Sequence, residues 1–328
     1  MERNGTAAVQ RIWVYEYLSG GGPLDDAATR AALLPAGLAM RDAMAADLMR
    51  LPHCDVTVAS APDCPAPPGR AARLAPHPGE SAPDFVARGA AAHDLVWLVA
   101  PETGGLLEQL QRGVGAARWL GCAADALAVA ASKSATTLRL AAHGLWTPLA
   151  FADDPRTRQW VVKPDDGAGA VATRRFDGRS AARAELARRS VAGEAVVLEP
   201  WVDGDALSLS LMCGPDTAEL LSVNRQEIVV DAAGTVGFDG VALDVIAPSD
   251  PRRTQLAQLA RRVHDAVPGL RGYVGIDLVW HPAAGPVIVE INPRVTSAYV
   301  GLSAALGRNL AAAVIASCAP QDVLDAVR

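Results

Sequence analysis

Apolar residues in the first third of the chain fall into blocks that switch between two periods. RIWVYEYL (residues 11–18) reads as a strand that runs into the turn SGGGP. Residues 25–50 repeat their apolar positions at helical spacing, and Pro35 and Gly37 are expected to break that helix or split it in two. DVTVAS (55–60) and HDLVWLVAP (93–101) predict two further strands. The Pro- and Gly-rich stretch 61–83 between them predicts an irregular loop, and 103–113 a helix. Strands separated by helices imply a parallel sheet in an α/β layering.

After a linker at 114–122 the pattern changes. Two short helices are predicted near 123–131 and 133–143, then a strand QWVVKP (159–164) and a small-residue loop DDGAGA (165–170). A helix at 179–190 and a strand AVVLEPWV (195–202) follow. ALSLSLMC, AELLSVNRQEIVV and TVGFDGVALDV lie at spacing that suits an antiparallel sheet. An amphipathic helix is expected over 250–267 and helical structure over 298–317. No internal repeat is visible.

One hairpin carries unusual chemistry. GYVGIDLVWHPAAGPVIVEINPR (272–294) is two apolar runs joined by a turn, and each run holds one carboxylate, Asp277 and Glu290. Strands alternate faces, so Ile276, Leu278 and Trp280 share one side with Asp277 on the other. In the second run Val287, Val289 and Ile291 share a side, with Glu290 and Asn292 opposite. A turn centred on Ala283–Ala284 sets Asp277 directly across from Glu290, where like charges repel unless something positive lies between them. Asp277, Glu290 and Asn292 together offer only hard oxygen donors, which suits Mg²⁺, with Mn²⁺ as the alternative. The plainer reading is a solvated polar face. The continuation into NPR favours the metal, because Arg294 stands just past the last donor, placed to clamp an anion.

Composition narrows the classes. The chain has 328 residues, half of them hydrophobic, enough for a large core and about two domains. A net charge of −6 without any basic block argues against a nucleic-acid surface or a polybasic membrane patch. The N-terminal MERNGTAAVQR lacks the apolar stretch of a signal peptide, and no apolar run reaches the ~20 residues of a membrane span. A soluble, cytoplasmic protein is expected. The five cysteines are scattered without a CxxC pair; a Cys54–Cys64 disulfide is weighed against buried free thiols, and the thiols are expected.

Of thirty basic residues only Lys133 and Lys163 are lysine. An arginine-rich composition follows from general bias, but a lysine that persists in it marks a place where a compact ammonium is needed. Lys163 ends an apolar strand just before the glycine loop, whose Gly167 and Gly169 let backbone amides approach phosphate. Lys133 opens a helix with Ser132 as its N-cap. Each alone is an ordinary turn or surface residue; together with an oxygen-only metal face they describe a nucleoside triphosphate site.

SKSATTLRLAAHGLWTP, WVVKPDDGAGA, VLEPWVDGD, GIDLV and VEINPR occur in an order that resembles the ATP-grasp superfamily, over about residues 117–318. EYLSGGG and NPRVTSAYVGL are similar to the ligases of methanofuran-type cofactor synthesis, a group that includes tyramine–glutamate ligases. The resemblance implies an ATP-grasp fold, α/β and α+β in its C-terminal part, behind a Rossmann-like pre-ATP-grasp domain. It implies a division into 1–116, a small lid subdomain 117–200 and a C-terminal subdomain 201–328. It also implies that Lys133 and Lys163 contact ATP phosphates and that Glu199, Trp201 and Val202 form the adenine hinge. Asp205 or Asp203 would hold the ribose, and Asp277, Glu290 and Asn292 the magnesium. Arg294 would lie near the transferred phosphate, with Arg225 a second clamp. Ser132, in place of an acidic residue, and VATRR after the glycine loop depart from the family pattern. The implied reaction joins a small carboxylate, such as glutamate, to an amine such as tyramine, and a homodimer is compatible with it. A kinase on the same scaffold and a nucleotide-binding protein without turnover are the alternatives. Gly20–Gly22 either bind substrate or permit a sharp turn.

Overall fold

The computed structural model describes residues 9–167 and 169–319. Ala168 of the glycine loop, and the first eight residues read above for a leader, lie outside the described residues. The chain forms two compact units: one takes the chain up to Ala100, Leu106–Ala123 and the described residues from Arg294 onward, the other Pro101–Gly105 and Ala124–Pro293.

The first unit begins with β1 (Gln10–Glu16), α1 (Ala27–Met49), β2 (Cys54–Ala59), β3 (Ala72–Leu74), α2 (Ala82–Ala92), β4 (Leu95–Val99) and α3 (Leu106–Val114). The strands lie in the order β3-β2-β1-β4, and every pair is parallel. Central strands of such sheets are covered on both faces, which is why Ile12, Trp13, Val14 and Tyr15 run on without a polar break. The three-residue β3, inside the expected irregular loop, is too short to show a period.

The expected break in α1 does not occur: the helix runs through Pro35. A proline removes one hydrogen bond and crowds the carbonyl four residues back. Here both Pro35 and Ala31 are exposed, so the bond that proline removes lies on the solvent side of the helix, while Met44, Ala45 and Leu48 bury the far end. Gly37 has a packing role. A Cβ there would lie 2.7 Å from the Glu16 carboxylate, so its absence lets β1 approach α1. The glycine run after β1 is explained in the same way. A Cβ on Gly22 would sit 2.4 Å from the Tyr17 ring, and one on Gly20 would sit 2.7 Å from the Tyr15 ring. The turn folds back on its own tyrosines.

The second unit contains α4 (Ala124–Ala130), α5 (Lys133–Ala142), β5 (Gln159–Pro164), β6 (Arg174–Asp177), α6 (Arg179–Val191) and β7 (Val196–Pro200). It continues with β8 (Asp205–Cys213), β9 (Ala218–Val230), β10 (Val236–Ala242), α7 (Pro251–Ala266), β11 (Gly272–His281) and β12 (Gly285–Asn292). An antiparallel sheet in the order β6-β5-β7 packs Trp160 and Val162 against Ala182 of α6. β6 escaped the sequence reading because it is four residues long and strongly basic at its start. A five-stranded antiparallel sheet follows the order β10-β9-β8-β11-β12. Its apolar face carries Leu207, Leu209, Val223, Ile276 and Leu278, and α7 contributes Leu256, Leu259 and Val263 to the core.

From Arg294 the chain returns to the first unit through α8 (Leu302–Ala305) and α9 (Leu310–Cys318). The division drawn at 116 and 200 differs from this partition. Residues 294–319 bury Tyr299, Leu302, Leu310 and Val314 with the N-terminal elements, and periodicity shows that a helix has an apolar side but not what it packs against. None of the five cysteines is in a disulfide. Among the described residues no single helix is long and apolar enough to cross a membrane.

Candidate functional site

The hairpin pairs Asp277 with Glu290 and Gly275 with Asn292, as its spacing predicted, but by a different route. His281 pairs with Gly285, so the turn is one residue tighter than a centre at Ala283–Ala284. A bulge between Asp277 and Leu278 then restores the register, with Leu278 opposite Ile288 and Val289 left extra. The bulge also corrects the faces. Val287 pairs with Val279 and so lies on the Asp277 side, while Ile288 and Ile291 join Ile276 and Leu278 in the core.

The register extends this polar face across the sheet. Asp277 lies beside Ser208 of β8, which lies beside Asn224 of β9. Asn224 is fully buried and donates to Ser210 Oγ at 3.1 Å and to Ser208 Oγ at 3.4 Å. Asn292 Nδ2 donates to Asp277 Oδ2 at 3.2 Å, so amide and carboxylate are held side by side. Among the described residues no group of three or more His, Cys, Asp or Glu could hold a metal. The set here is two carboxylates and one amide, all oxygen donors on one face, and its chemistry fits a hard divalent cation completed by water or phosphate.

Lys133 supplies the positive charge that the opposed acids call for. Its Nζ lies 3.7 Å from Glu290 Oε1 and donates to the Gly167 carbonyl at 3.0 Å. The glycine loop meets α5 a second time: Lys133 N donates to Asp165 O at 2.8 Å. The Asp165 carboxylate accepts from Ser132 Oγ at 2.7 Å and from Ser134 N at 2.8 Å. Burial alone would raise the Asp165 carboxyl. The bonds from Ser132 and Ser134, with Lys133 nearby, outweigh it and hold the group below the usual carboxylate range. Ser132 departs from the acidic pattern, and Asp165 brings a carboxylate to that helix end from the loop. Asp165 and the Thr103–Gly104 turn were missed in the sequence. Gly104 N donates to Asp166 Oδ2 at 2.7 Å, and a Cβ on Gly167 would meet Thr103 Oγ1 at 2.8 Å. The paired aspartates before the glycines were the available signal. Gly167 and Gly169 both take positive φ, as do Ala170 and Ala172, which cost more there.

Lys163 and Glu199 stand on the side of the small sheet away from Trp160 and Val162. Their Nζ and Oε2 are 2.7 Å apart, and both side chains are buried. Beyond β7, Trp201 lies under the Arg175 guanidinium at 5.4 Å, and Val202 is buried. Asp203 and Asp205 are exposed, with Asp205 paired opposite Trp280. Arg225 requires a correction. It pairs with Leu207, so it occupies the face opposite Asn224 and Asp277, and it is exposed. Strand alternation therefore removes it from the acid face. Arg294 Nη1 donates to the Val295 carbonyl at 3.2 Å.

Residues 130–298 match the ATP-grasp domain, and residues 54–127 match the pre ATP-grasp 3 domain. A tyramine–L-glutamate ligase from Methanocaldococcus fervens is 28% identical over 211 residues, which cover 64% of this chain and 61% of that protein. The match thus spans about three fifths of the relative's length. An ATP-grasp superfamily protein from Archaeoglobus fulgidus superposes with a TM-score of 0.68 at 21% identity, over 94% of this chain and 88% of the other. An L-amino acid ligase from Bacillus licheniformis gives 0.65 at 17% identity, over 97% and 77%. At such identity the two structures speak for the fold alone. The ATP-grasp match covers more than half of the chain and takes in both lysines and the acid hairpin, and the chain belongs to the ATP-grasp family.

Proposed function

We propose that the protein is an ATP-dependent ligase that joins a small carboxylate to an amine. The observation that carries this reading is the single face holding Asp277, Glu290 and Asn292 with Lys133 beside it. The name of the relative, tyramine–L-glutamate ligase, supports glutamate as the acid and tyramine as the amine, and the likeness of EYLSGGG and NPRVTSAYVGL to ligases of methanofuran-type cofactor synthesis extends the proposal to that pathway.

In this reading the ATP γ-phosphorus accepts a substrate carboxylate oxygen, ADP leaves, and an acyl phosphate forms. The amine then attacks the acyl carbon, phosphate leaves, and the amine's proton passes to solvent. Both partners of the first step are anionic, so the site must neutralise charge and hold the reactants in line. Lys133 and Lys163 would meet the phosphates, the first by exchanging the Gly167 carbonyl for a phosphate oxygen. The amides around Gly167 and Gly169 would line the phosphates. Glu199, Trp201 and Val202 would frame the base, and Asp205 would hold the ribose. Asp277, Glu290 and Asn292 would bind Mg²⁺, which supplies charge neutralisation when bound. Arg294 would stabilise the transferred group. No side-chain nucleophile is needed.

The test is a screen of amines and amino acids for phosphate release with ATP and Mg²⁺, with mass spectrometry of the products. A new amide together with ADP and free phosphate supports the ligase. A stable phosphorylated product would replace it with a kinase, and tight ATP binding without turnover for any pair would remove the catalytic reading.

A further inference from the structure

Arg175 has no part in the chemistry above, although it stands on the same side of the small sheet as Lys163 and Glu199. The register places it there. Val161 of β5 pairs with Arg175 of β6 and with Glu199 of β7, and directly paired side chains share a face. Lys163 comes two positions after Val161 and keeps that face, while Trp160 and Val162 turn to the other side and pack against Ala182. Trp201 carries the alternation past the end of β7, where its amide donates to the Gln159 carbonyl at 2.9 Å. Counted away from the glycine loop, this face holds Lys163, then Val161 flanked by Glu199 and Arg175, then Trp201.

The backbone of Arg175 is fixed between β5 on one side and Gly234 on the other, whose carbonyl accepts its amide at 2.7 Å. From there the guanidinium reaches across β5 to lie 5.4 Å from the centre of the Trp201 ring. Among the described residues, five arginines lie over aromatic rings. The guanidiniums of Arg88, Arg174, Arg179 and Arg252 also donate to a protein oxygen. Arg175 does not. Its side chain makes no hydrogen bond or ion pair within the described residues, and it is only half-buried. The guanidinium therefore keeps both its donors and an accessible surface, on the side of the sheet where the nucleotide is expected.

Its position selects the part of the nucleotide it meets. Lys163 stands at the glycine-loop end, beside the phosphates. The row of Arg175 lies two residues, about 7 Å, further from that loop, and the guanidinium leans on toward Trp201. A flat cation at that end suits a flat π-system better than a second phosphate contact.

We propose that Arg175 is a base-binding residue: the purine packs on the guanidinium, which Trp201 backs from the other side. The inference rests on the nucleotide site of the proposed function. It goes beyond the family resemblance, which assigns Arg175 no role, since the residue ends the VATRR stretch that departs from the family pattern. Only residues of the second unit take part.

The experiment is calorimetric titration of the full chain with ATP, adenosine and inorganic tripolyphosphate, each with Mg²⁺, for wild type, Arg175→Gln and Arg175→Lys. Arg175→Gln should weaken ATP and adenosine by about tenfold each and leave tripolyphosphate within about twofold of wild type. Arg175→Lys keeps the cation without its plane, and it should weaken adenosine by a smaller factor. Both variants should unfold near the wild-type thermal midpoint, because the side chain bonds nothing else. The inference falls if wild type binds ATP but not adenosine, if Arg175→Gln binds adenosine as tightly as wild type, or if tripolyphosphate weakens as much as adenosine. Failure of wild type to bind ATP is a different result: it removes the nucleotide site itself, and this inference with it.

Discussion

Lys133 and Glu290 form an ion pair, 3.7 Å from Nζ to Oε1, that joins the first turn of α5 to the acid strand of the hairpin. The pairing resolves the repulsion latent in the sequence. Asp277 faces Glu290 across the ladder, and the cation that offsets them comes from 157 residues' distance along the chain, as Lys133 does relative to Glu290.

Glu290→Gln keeps the shape of that side chain and removes its charge. The Mg²⁺ concentration needed for half-maximal ATP binding should rise by about tenfold or more, since even the residues behind metal ligands carry effects of that size. A magnesium titration of nucleotide fluorescence measures it. An unchanged titration would take Glu290 out of the metal site.

Lys163→Arg conserves charge at a position only 6% exposed, where Nζ already lies 2.7 Å from Glu199. A guanidinium is larger and planar, and it cannot take the place of a point-like ammonium on that crowded sheet face. Nucleotide-dependent phosphate release should fall by about a hundredfold, in line with loss of one charge-stabilising donor. Turnover close to wild type would separate Lys163 from the chemistry.

The elements that announced themselves in the sequence are those set by local rules. β5 occupies the predicted 159–164, and α7 and the hairpin strands lie within a residue or two of their expected ends, because period and turn chemistry act over neighbours. What stayed hidden depends on distant partners. Pro35 suggested a break that α1 does not have, since nothing local reveals that this turn of the helix faces solvent. Arg225 looked like a clamp until its pairing with Leu207 fixed its face. The Asp277–Glu290 pairing was foreseen from a turn that is in fact tighter, and the bulge at Val289 makes up the difference. Asp165 was passed over because its partners, Ser132 and Ser134, lie more than thirty residues away.

Asp165 gives a prediction in pH. Its carboxyl is held below the usual range in the folded chain, so the ionised form stabilises the fold above the ordinary carboxylate pKa of ~3.9. That contribution is lost as pH falls through the lowered value. Asp165→Asn lacks it at every pH. Wild type should therefore exceed the variant in urea unfolding at pH 6, and the gap should narrow as the pH is taken below the ordinary carboxylate range. A gap that is constant with pH would mean that the carboxylate charge plays no part in fastening the glycine loop to α5.

Asp47 tests how the C-terminal segment is fixed within its unit. The residue is 4% exposed, and its Oδ2 accepts from Tyr299 Oη and Ser303 Oγ, each at 2.5 Å. Arg50 pairs with Oδ1, and Asn309 Nδ2 donates to the Asp47 carbonyl at 2.8 Å. Ser303 Oγ in turn accepts the first amide of α9 at 3.2 Å, so one carboxylate at the end of α1 organises both C-terminal helices. Asp47→Ala would strand two buried hydroxyls and should destabilise the protein by about 3 kcal/mol in urea unfolding. Tyr299→Phe removes one partner and leaves the other, and should cost about 1–2 kcal/mol. The double variant should lose less than the sum, because both changes remove the same bond. Strict additivity would show that Tyr299 and Asp47 act separately, with the segment held instead by the apolar contacts of Leu302, Leu310 and Val314.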